Sequence, residues 1–397
     1  MSVADDCPCG ATADAPDAGA RTSPFLLTKG LEEEVYTGTR EGDIEPLSQL
    51  IAADLASFTT EPDGRNVEFT TTPHRTYRGL LDDLMGKRCR LRRWLGARGR
   101  TLVPGGTLSL APDDTFYFSD PDKPYYRFIA EHYGTRVVTA STHINVGIDD
   151  PVARLRAYRV LRCDAALFLA LAACSPFLRG EVTGQHSTRW HVFPKTPARV
   201  PLFRSPAEHV AWVEAQLAQG SMVNHRHLWV AVRPNGQASP YDLNRLELRI
   251  CDRLSRPITI AGVTALYEAR VAQVLADPEL DPLRWLDEER VLTLIDDNER
   301  AAAHASLDAE LIDWRTGRTA RAHDLVAALA EEVRPFAARG GYADQLLGVE
   351  RQLAEGNLAM QWLEQVRRGR TPRQVIQDAI VHLAAIDREY DPGCPAP

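Results

Sequence analysis

Four stretches of this chain alternate, largely residue by residue, between an apolar set and a set of acids, histidine, asparagine and arginine: Gly30–Thr37, Asn66–Thr70, Arg136–Ile148 and Leu243–Cys251. Successive side chains of a β-strand point to opposite faces, so a period of two marks strands and not helices. Glu32 and Glu34 then share one face about 7 Å apart. Glu68 and Thr70 oppose Val67 and Phe69. Thr139, Ser141, His143 and Asn145 oppose Val138, Ala140, Ile144, Val146 and Ile148. Arg245, Glu247 and Arg249 oppose Leu246, Leu248 and Ile250. An antiparallel sheet with one face packed on helices and the other open produces this pattern.

The remainder reads largely as helix. Leu47 to Phe58 is one candidate. From Pro73, apolar positions Tyr77, Leu80, Leu81, Leu84, Leu91 and Leu95 follow helical spacing, and the arginines between Arg88 and Arg100 read as its solvated face. Leu102–Leu110, broken by Pro104-Gly105-Gly106, reads as a bent strand. Asp150 and Pro151 cap and open a helix to about Cys174, and Ser205 opens another that ends at Gly220. Past Ile258 the chain is rich in Ala, Leu and Glu, and Thr371-Pro372-Arg373-Gln374 opens the last helix with a capping box. Residues 1–24 read as a disordered leader. Residues 25–397 read as a single domain, sheet-rich over 25–258 and helical over 259–397.

A net charge of −8 gives no bulk attraction to nucleic acid or anionic lipid. The longest apolar run, Ala165–Cys174, is shorter than the roughly 18 to 20 residues of a membrane span. The N-terminus lacks a signal peptide's apolar region, so the expected setting is the cytoplasm, with neither nucleic acid nor membrane as partner. Seven scattered cysteines without a CxxC pair fit reduced thiols, and Cys7-Pro8-Cys9 lacks partner ligands for a metal. Cys251 is placed toward the polar face as a buried free thiol. His225-Arg226-His227 reads as packing or substrate contact, and His186 and His191 as loop residues.

Solvated sheet faces usually carry lysine, but the whole chain has only Lys29, Lys87, Lys123 and Lys195. Carboxylates crowded on one surface without such partners repel unless a divalent cation neutralises them. Oxygen ligands with one imidazole suit Mg²⁺ or Mn²⁺, which usually serve phosphates. Neither G-x-x-x-x-G-K-[ST] nor a G-x-G-x-x-G after a strand is present, so a nucleotide would be held through metals and arginines. These motifs taken by spacing alone fit a metal site or a decorated surface equally.

Gly30-Leu31-Glu32-Glu33-Glu34, Asp63-Gly64-Arg65-Asn66-Val67-Glu68, Thr142-His143-Ile144-Asn145 and Arg245-Leu246-Glu247-Leu248-Arg249-Ile250-Cys251-Asp252 together resemble the glutamate–cysteine ligase family, most closely its cyanobacterial type. The likeness runs over residues 26–315 and includes Thr183–Trp190 and Asn224–Trp229. It implies an α+β, glutamine synthetase-like fold: a curved antiparallel sheet, helices on its convex face, an active-site funnel on the concave one, and a helical C-terminal region. It also implies roles. Glu32, Glu34, Asp63, Glu68, His143 and Glu247 would hold Mg²⁺, or Mn²⁺, around the phosphates of ATP. Arg249 would meet the phosphoryl group in flight, with Glu34 and Glu247 beside it and Asn145 on the nucleotide side. Ser187 and Arg189 would border the amino-acid substrates. Glu33 departs from the family pattern, which has an apolar residue there, and an acid on the packing face points to a strand near a sheet edge. The implied reaction is ATP-dependent formation of γ-glutamylcysteine through γ-glutamyl phosphate, the first step toward glutathione. The alternatives are a ligase joining glutamate to another amine, a non-catalytic metal- and nucleotide-binding relative and, more distantly, a guanidine kinase of related fold.

Overall fold

The pleat sorts the side chains of the strand-forming part of each alternating stretch as the period of two requires. The computed structural model describes residues 23–112, 114–235 and 243–395. Most of the expected leader, with Cys7 and Cys9, lies outside the described residues. The strands are β1 (Lys29–Gly38), β2 (Phe58–Thr60), β3 (Asn66–Thr70), β4 (Thr101–Val103), β5 (Thr142–Gly147), β6 (Phe177–Leu178), β7 (Glu181–Val182), β8 (Val232–Asn235), β9 (Arg245–Leu248), β10 (Glu310–Ile312) and β11 (Thr319–Arg321). Seven form one antiparallel sheet in the order β2-β3-β1-β5-β9-β8, with β4 on the far end of β1.

The helices are α1 (Ser48–Asp54), α2 (Tyr77–Gly96), α3 (Pro124–Tyr133), α4 (Pro151–Ala172), α5 (Thr188–Val192), α6 (Pro206–Gln219), α7 (Pro257–Ala276), α8 (Glu288–Ala305), α9 (Ala322–Gly340), α10 (Leu347–Glu355), α11 (Leu358–Arg367) and α12 (Pro372–Tyr390). Their ends follow local chemistry. Asp150 accepts from the amides of Val152 and Ala153, and Thr371 and Gln374 form a reciprocal capping box. Ser205 caps Glu208, but the Glu208 carboxylate takes the Arg204 amide, so the second half of that box is not made.

Leu31, Val35, Val67, Phe69, Ile144, Val146, Leu246 and Leu248 form the packed face of the sheet, against α2, α4 and α7. Each such side chain contributes about 1.5–3 kcal/mol when fully buried. The length and apolar content of α7 would suit a membrane span, but 83% of its apolar 18-residue stretch is buried within the protein. α7 and α10 touch backbone to backbone, since a Cβ on Gly348 would lie 2.0 Å from the Ile258 carbonyl oxygen.

Several expectations are corrected. β1 lies inside the sheet, not at an edge, and Glu33 is tolerated because it is paired: Oε2 accepts from Arg88 Nη2 at 3.1 Å and Oε1 from Thr142 Oγ1 at 2.9 Å. Arg88 and Arg92 are accordingly buried rather than solvated, and both also bind Asp387 of α12. Cys251 faces the helices, its Sγ toward the Phe168 carbonyl. Cys89 and Cys394 are joined in a disulfide, where reduced thiols are expected. Residues Gly134–Val137 form a 3₁₀ turn, so β5 starts only at Thr142; Phe58 belongs to β2, not to the first helix; and the β10–β11 hairpin interrupts the helical region.

Candidate metal and phosphate site

Register brings the polar faces into one band. Glu34 of β1 lies opposite Glu68 of β3, and Glu32 opposite His143 of β5. Asn145 lies opposite Glu247 of β9, which in turn lies opposite Arg233 of β8. Two cavities open over this band, of ≈ 510 Å³ and ≈ 500 Å³, and both are lined by Glu32, Glu68, Arg226 and Arg233.

The acids form two groups, each with ligand atoms within 4.8 Å of one another: Glu32, His143 and Glu247, and Glu34, Glu61 and Glu68. In the first group, Glu247 is fully buried. Arg233 forks onto it with two bonds of 3.0 Å, Asn235 Nδ2 donates at 2.9 Å, and Arg249 binds its other oxygen. Burial pushes the Glu247 carboxyl up, but Arg233, Arg249, His143 and Arg245 outweigh it and hold the group well below the usual carboxylate range. Burial and Glu247 likewise push Glu32 up, while His143 and Arg245 bring its value below the ordinary one. Arg245 Nη2 lies 3.1 Å from Glu32 Oε1.

The second group behaves oppositely. Burial first and the Glu34 charge second raise Glu61 to about 7, against the pull of Arg226 and Arg249. Burial and then Glu61, Glu32 and Glu34 push Glu68 well above its ordinary value. Carboxylates arranged this way hold a proton between them or a divalent cation.

Other features point to the cation. Ser141 gives its single hydroxyl hydrogen to Glu34, so its oxygen accepts from His143 Nε2 at 2.9 Å. That fixes the ring and leaves Nδ1, 3.2 Å from Glu32 and 3.8 Å from Glu247, facing the first group. The Oδ1 atoms of Asn66 and Asn145 are buried with no donor. Crowded carboxylates, idle amide oxygens and one imidazole fit Mg²⁺ or Mn²⁺.

Three expected site residues sit differently. Asp63 lines the first cavity, but both its oxygens are taken by Arg65, at 2.9 and 2.8 Å, and one also by the Tyr117 amide. Glu61 stands in the acidic group instead. Ser187 is fully buried, donates to Asp252 Oδ1 at 2.7 Å and caps α5. Arg189 lines the cavity, yet Nη1 and Nη2 hold the carbonyls of Ile250 and Arg249 at 3.1 Å, fixing the strand exit that carries Arg249. Sequence reasoning missed Glu61, Arg233 and Arg245 as site residues and read Arg226 as packing or substrate contact; Arg226 lines both cavities. The polar face of β9 held the signal for Arg245. His227 packs against Trp229 with ring centroids 4.6 Å apart and meets the Tyr133 hydroxyl at 2.9 Å. Burial lowers it to about 4, as in a packed histidine.

Residues 28–383 match the sequence pattern of Glutamate-cysteine ligase family 2 (GCS2). A protein of Rubrobacter xylanophilus named "Putative glutamate--cysteine ligase 2-1" is 29% identical over 81% of this chain and 85% of its own length. One of the same name from Saccharopolyspora erythraea is 28% identical over 92% and 97%. Among solved structures, the glutamate–cysteine ligase of Francisella tularensis in complex with AMP superposes with a TM-score of 0.72 at 12% identity, covering 92% of this chain and 90% of that one. A bifunctional glutathione synthetase from Pasteurella multocida gives the same TM-score at 15% identity, over 92% and 53%. At these identities the two structures establish the shared fold.

Proposed function

Because the chain belongs to glutamate–cysteine ligase family 2, we propose that it joins the γ-carboxylate of glutamate to the amine of cysteine and converts ATP to ADP and phosphate. The observation that carries this reading is the pairing of two acidic groups with Arg226, Arg233, Arg245 and Arg249 around two cavities that share Glu32, Glu68, Arg226 and Arg233.

A carboxylate does not accept an amine at neutral pH, because its oxygen is too poor a leaving group. Transfer of the γ-phosphoryl group to the glutamate γ-carboxylate supplies a better one. The cysteine amine then attacks the acyl carbon, the C–O bond to phosphate breaks, and the amine proton passes to water or phosphate. Both steps crowd anions together, so the chain's task is positioning and charge compensation. Glu34, Glu61 and Glu68 would hold one divalent cation, and Glu32, His143 and Glu247 a second. Such ions, when bound, neutralise the triphosphate and the charge developing on the transferring group. Arg249 and Arg233 flank Glu247 and would turn toward the phosphoryl oxygens. Arg189 keeps the Arg249 backbone in place. The rings of Tyr125, Phe193 and Trp229 supply an apolar wall on one side of the cleft. The protein needs no covalent nucleophile, in keeping with Cys163, Cys174 and Cys251, whose thiols burial pushes up.

The test is incubation with glutamate, ATP, Mg²⁺ and either cysteine, alanine or 2-aminobutyrate, followed by mass analysis of the product and assay of ADP. A dipeptide of γ-glutamylcysteine mass, made faster than with the other amines, supports the proposal. ADP release that is no greater with cysteine than with alanine contradicts it.

A further inference from the structure

Two of the three acids in the second group stand within the sheet, Glu34 on β1 and Glu68 on β3, and each of those strands is paired on both sides. Glu61 does not. It follows β2, the three-residue strand at the edge of the sheet, and precedes Pro62, which has no amide hydrogen to pair. A ligand carried on a turn is placed less exactly than one on a strand unless neighbouring groups lock the turn.

The lock is built on Asp63 and Arg65, each 2% exposed. Arg65 forks onto Asp63, Nε to Oδ1 at 2.9 Å and Nη2 to Oδ2 at 2.8 Å, and its amide donates to Oδ1 at 2.9 Å. The same guanidinium donates to the carbonyls of Pro112 and Thr115 at 3.2 and 2.8 Å, and Asp63 Oδ2 also accepts from the Tyr117 amide at 3.0 Å. Gly64 donates to the Tyr117 carbonyl at 2.6 Å, and Asp63 and Phe118 form an isolated antiparallel bridge. Residues 115–119 are thereby laid along the turn. Ser119 then reaches Glu61 itself: its hydroxyl donates to the Glu61 carbonyl, and its amide to the Pro62 carbonyl at 3.1 Å. A buried ion pair adds little net stability over apolar residues of similar size, whereas a bidentate fork fixes direction.

We propose, resting on the cation role proposed for Glu34, Glu61 and Glu68, that Asp63 and Arg65 are positioning residues for that cation. They clasp residues 115–119 against the turn, and Ser119 sets the Glu61 backbone so that its carboxylate completes the ligand set. Asp63 could become a ligand itself only by releasing Arg65, since both its oxygens are in the fork. Partners that orient a metal ligand from behind are worth about 10- to 100-fold in metal affinity.

Titration calorimetry of the full chain with manganese(II), in the presence of a non-hydrolysable ATP analogue, tests this. Glu61→Gln weakens one of the two ions held by the wild type. Arg65→Gln and Arg65→Lys weaken that same ion by about tenfold or more and leave the other unchanged, because neither side chain can make the fork. Combined with Glu61→Gln, Arg65→Gln brings no further loss, since it acts through that carboxylate. A loss that adds to that of Glu61→Gln, or that falls equally on both ions, is a general loosening of the fold and overturns the proposal. Ser119→Ala removes one hydroxyl from the Glu61 carbonyl, keeps the ion pair and weakens the ion about fivefold. Should Arg65→Gln fail to fold, Ser119→Ala decides. If the deciding variant leaves the ion unweakened while Glu61→Gln still weakens it, the positioning role is overturned and the metal reading stands. A wild type that binds no manganese overturns both.

Discussion

Replacing Asp387 by alanine should unfold the protein far more readily than its place near the end of the last helix would suggest. Asp387 is 0% exposed and binds Arg88 Nη1 at 3.2 Å and Arg92 Nε. Without it, Arg88, Arg92 and Arg253 face Glu33 alone. Removing one partner of a buried ion pair costs roughly 3–5 kcal/mol, because the other charge stays behind. Asp391, one turn further along, pairs with Arg93 at 3.4 Å, with the two side chains 40% and 54% exposed. Its removal should cost under about 1 kcal/mol. In urea, with a slope of about 3 kcal/mol/M or more, the midpoint should fall by about 1 M for Asp387→Ala and by less than about 0.3 M for Asp391→Ala. Equal shifts in the two variants would refute the claim that the back of β1 is held by a buried charge network reaching α12.

Three further outcomes follow from the site and the disulfide. Glu68→Gln should lower Mg²⁺-dependent ADP release about 100-fold with an unchanged circular dichroism spectrum, and a chelator should abolish release in the wild type. Burial and Glu34 raise Glu61 from 4.5 to about 7, so the folded state favours its protonated form. In metal-free protein that contribution is complete below about pH 4.5 and lost as pH rises through about 7, a fall of about 3 kcal/mol that Glu61→Gln should flatten and Mg²⁺ should reverse in thermal melts. Reducing the Cys89–Cys394 disulfide, which spans 305 residues, should cost about 2–4 kcal/mol in urea unfolding, and Cys394→Ser should show no such response to reductant.

Alternation alone identified the faces that carry Glu32, Glu34, Glu68, His143 and Glu247, because the pleat converts a period of two into shared direction. It could not supply Glu61, which precedes Pro62 in what composition reads as a turn. Nor could it supply Arg233, whose four-residue strand contains Pro234 and is too short to show a period. The parity of β1 puts Glu33 on the packed face, but its partners Arg88 and Arg253 lie 55 and 220 residues away. Nothing local distinguishes Arg88 and Arg92 from the exposed arginines of the same helix; only packing against β1 and α12 does. Ser187 shows the converse limit, since a motif can be matched for its cap on α5 as readily as for a substrate contact. Cys89 and Cys394 carry no spacing signal because their proximity is wholly tertiary.

Convergence of two acidic groups beneath one triphosphate is tested most directly by counting bound cations. Manganese(II) titrated into the protein with a non-hydrolysable ATP analogue, and followed by electron paramagnetic resonance, should show two tightly held ions per chain. Glu34→Gln should lose the ion of the Glu34, Glu61 and Glu68 group while retaining the other. Absence of any tightly bound manganese, or a count that Glu34→Gln and Glu247→Gln both leave unchanged, would contradict the metal–phosphate reading of this cleft.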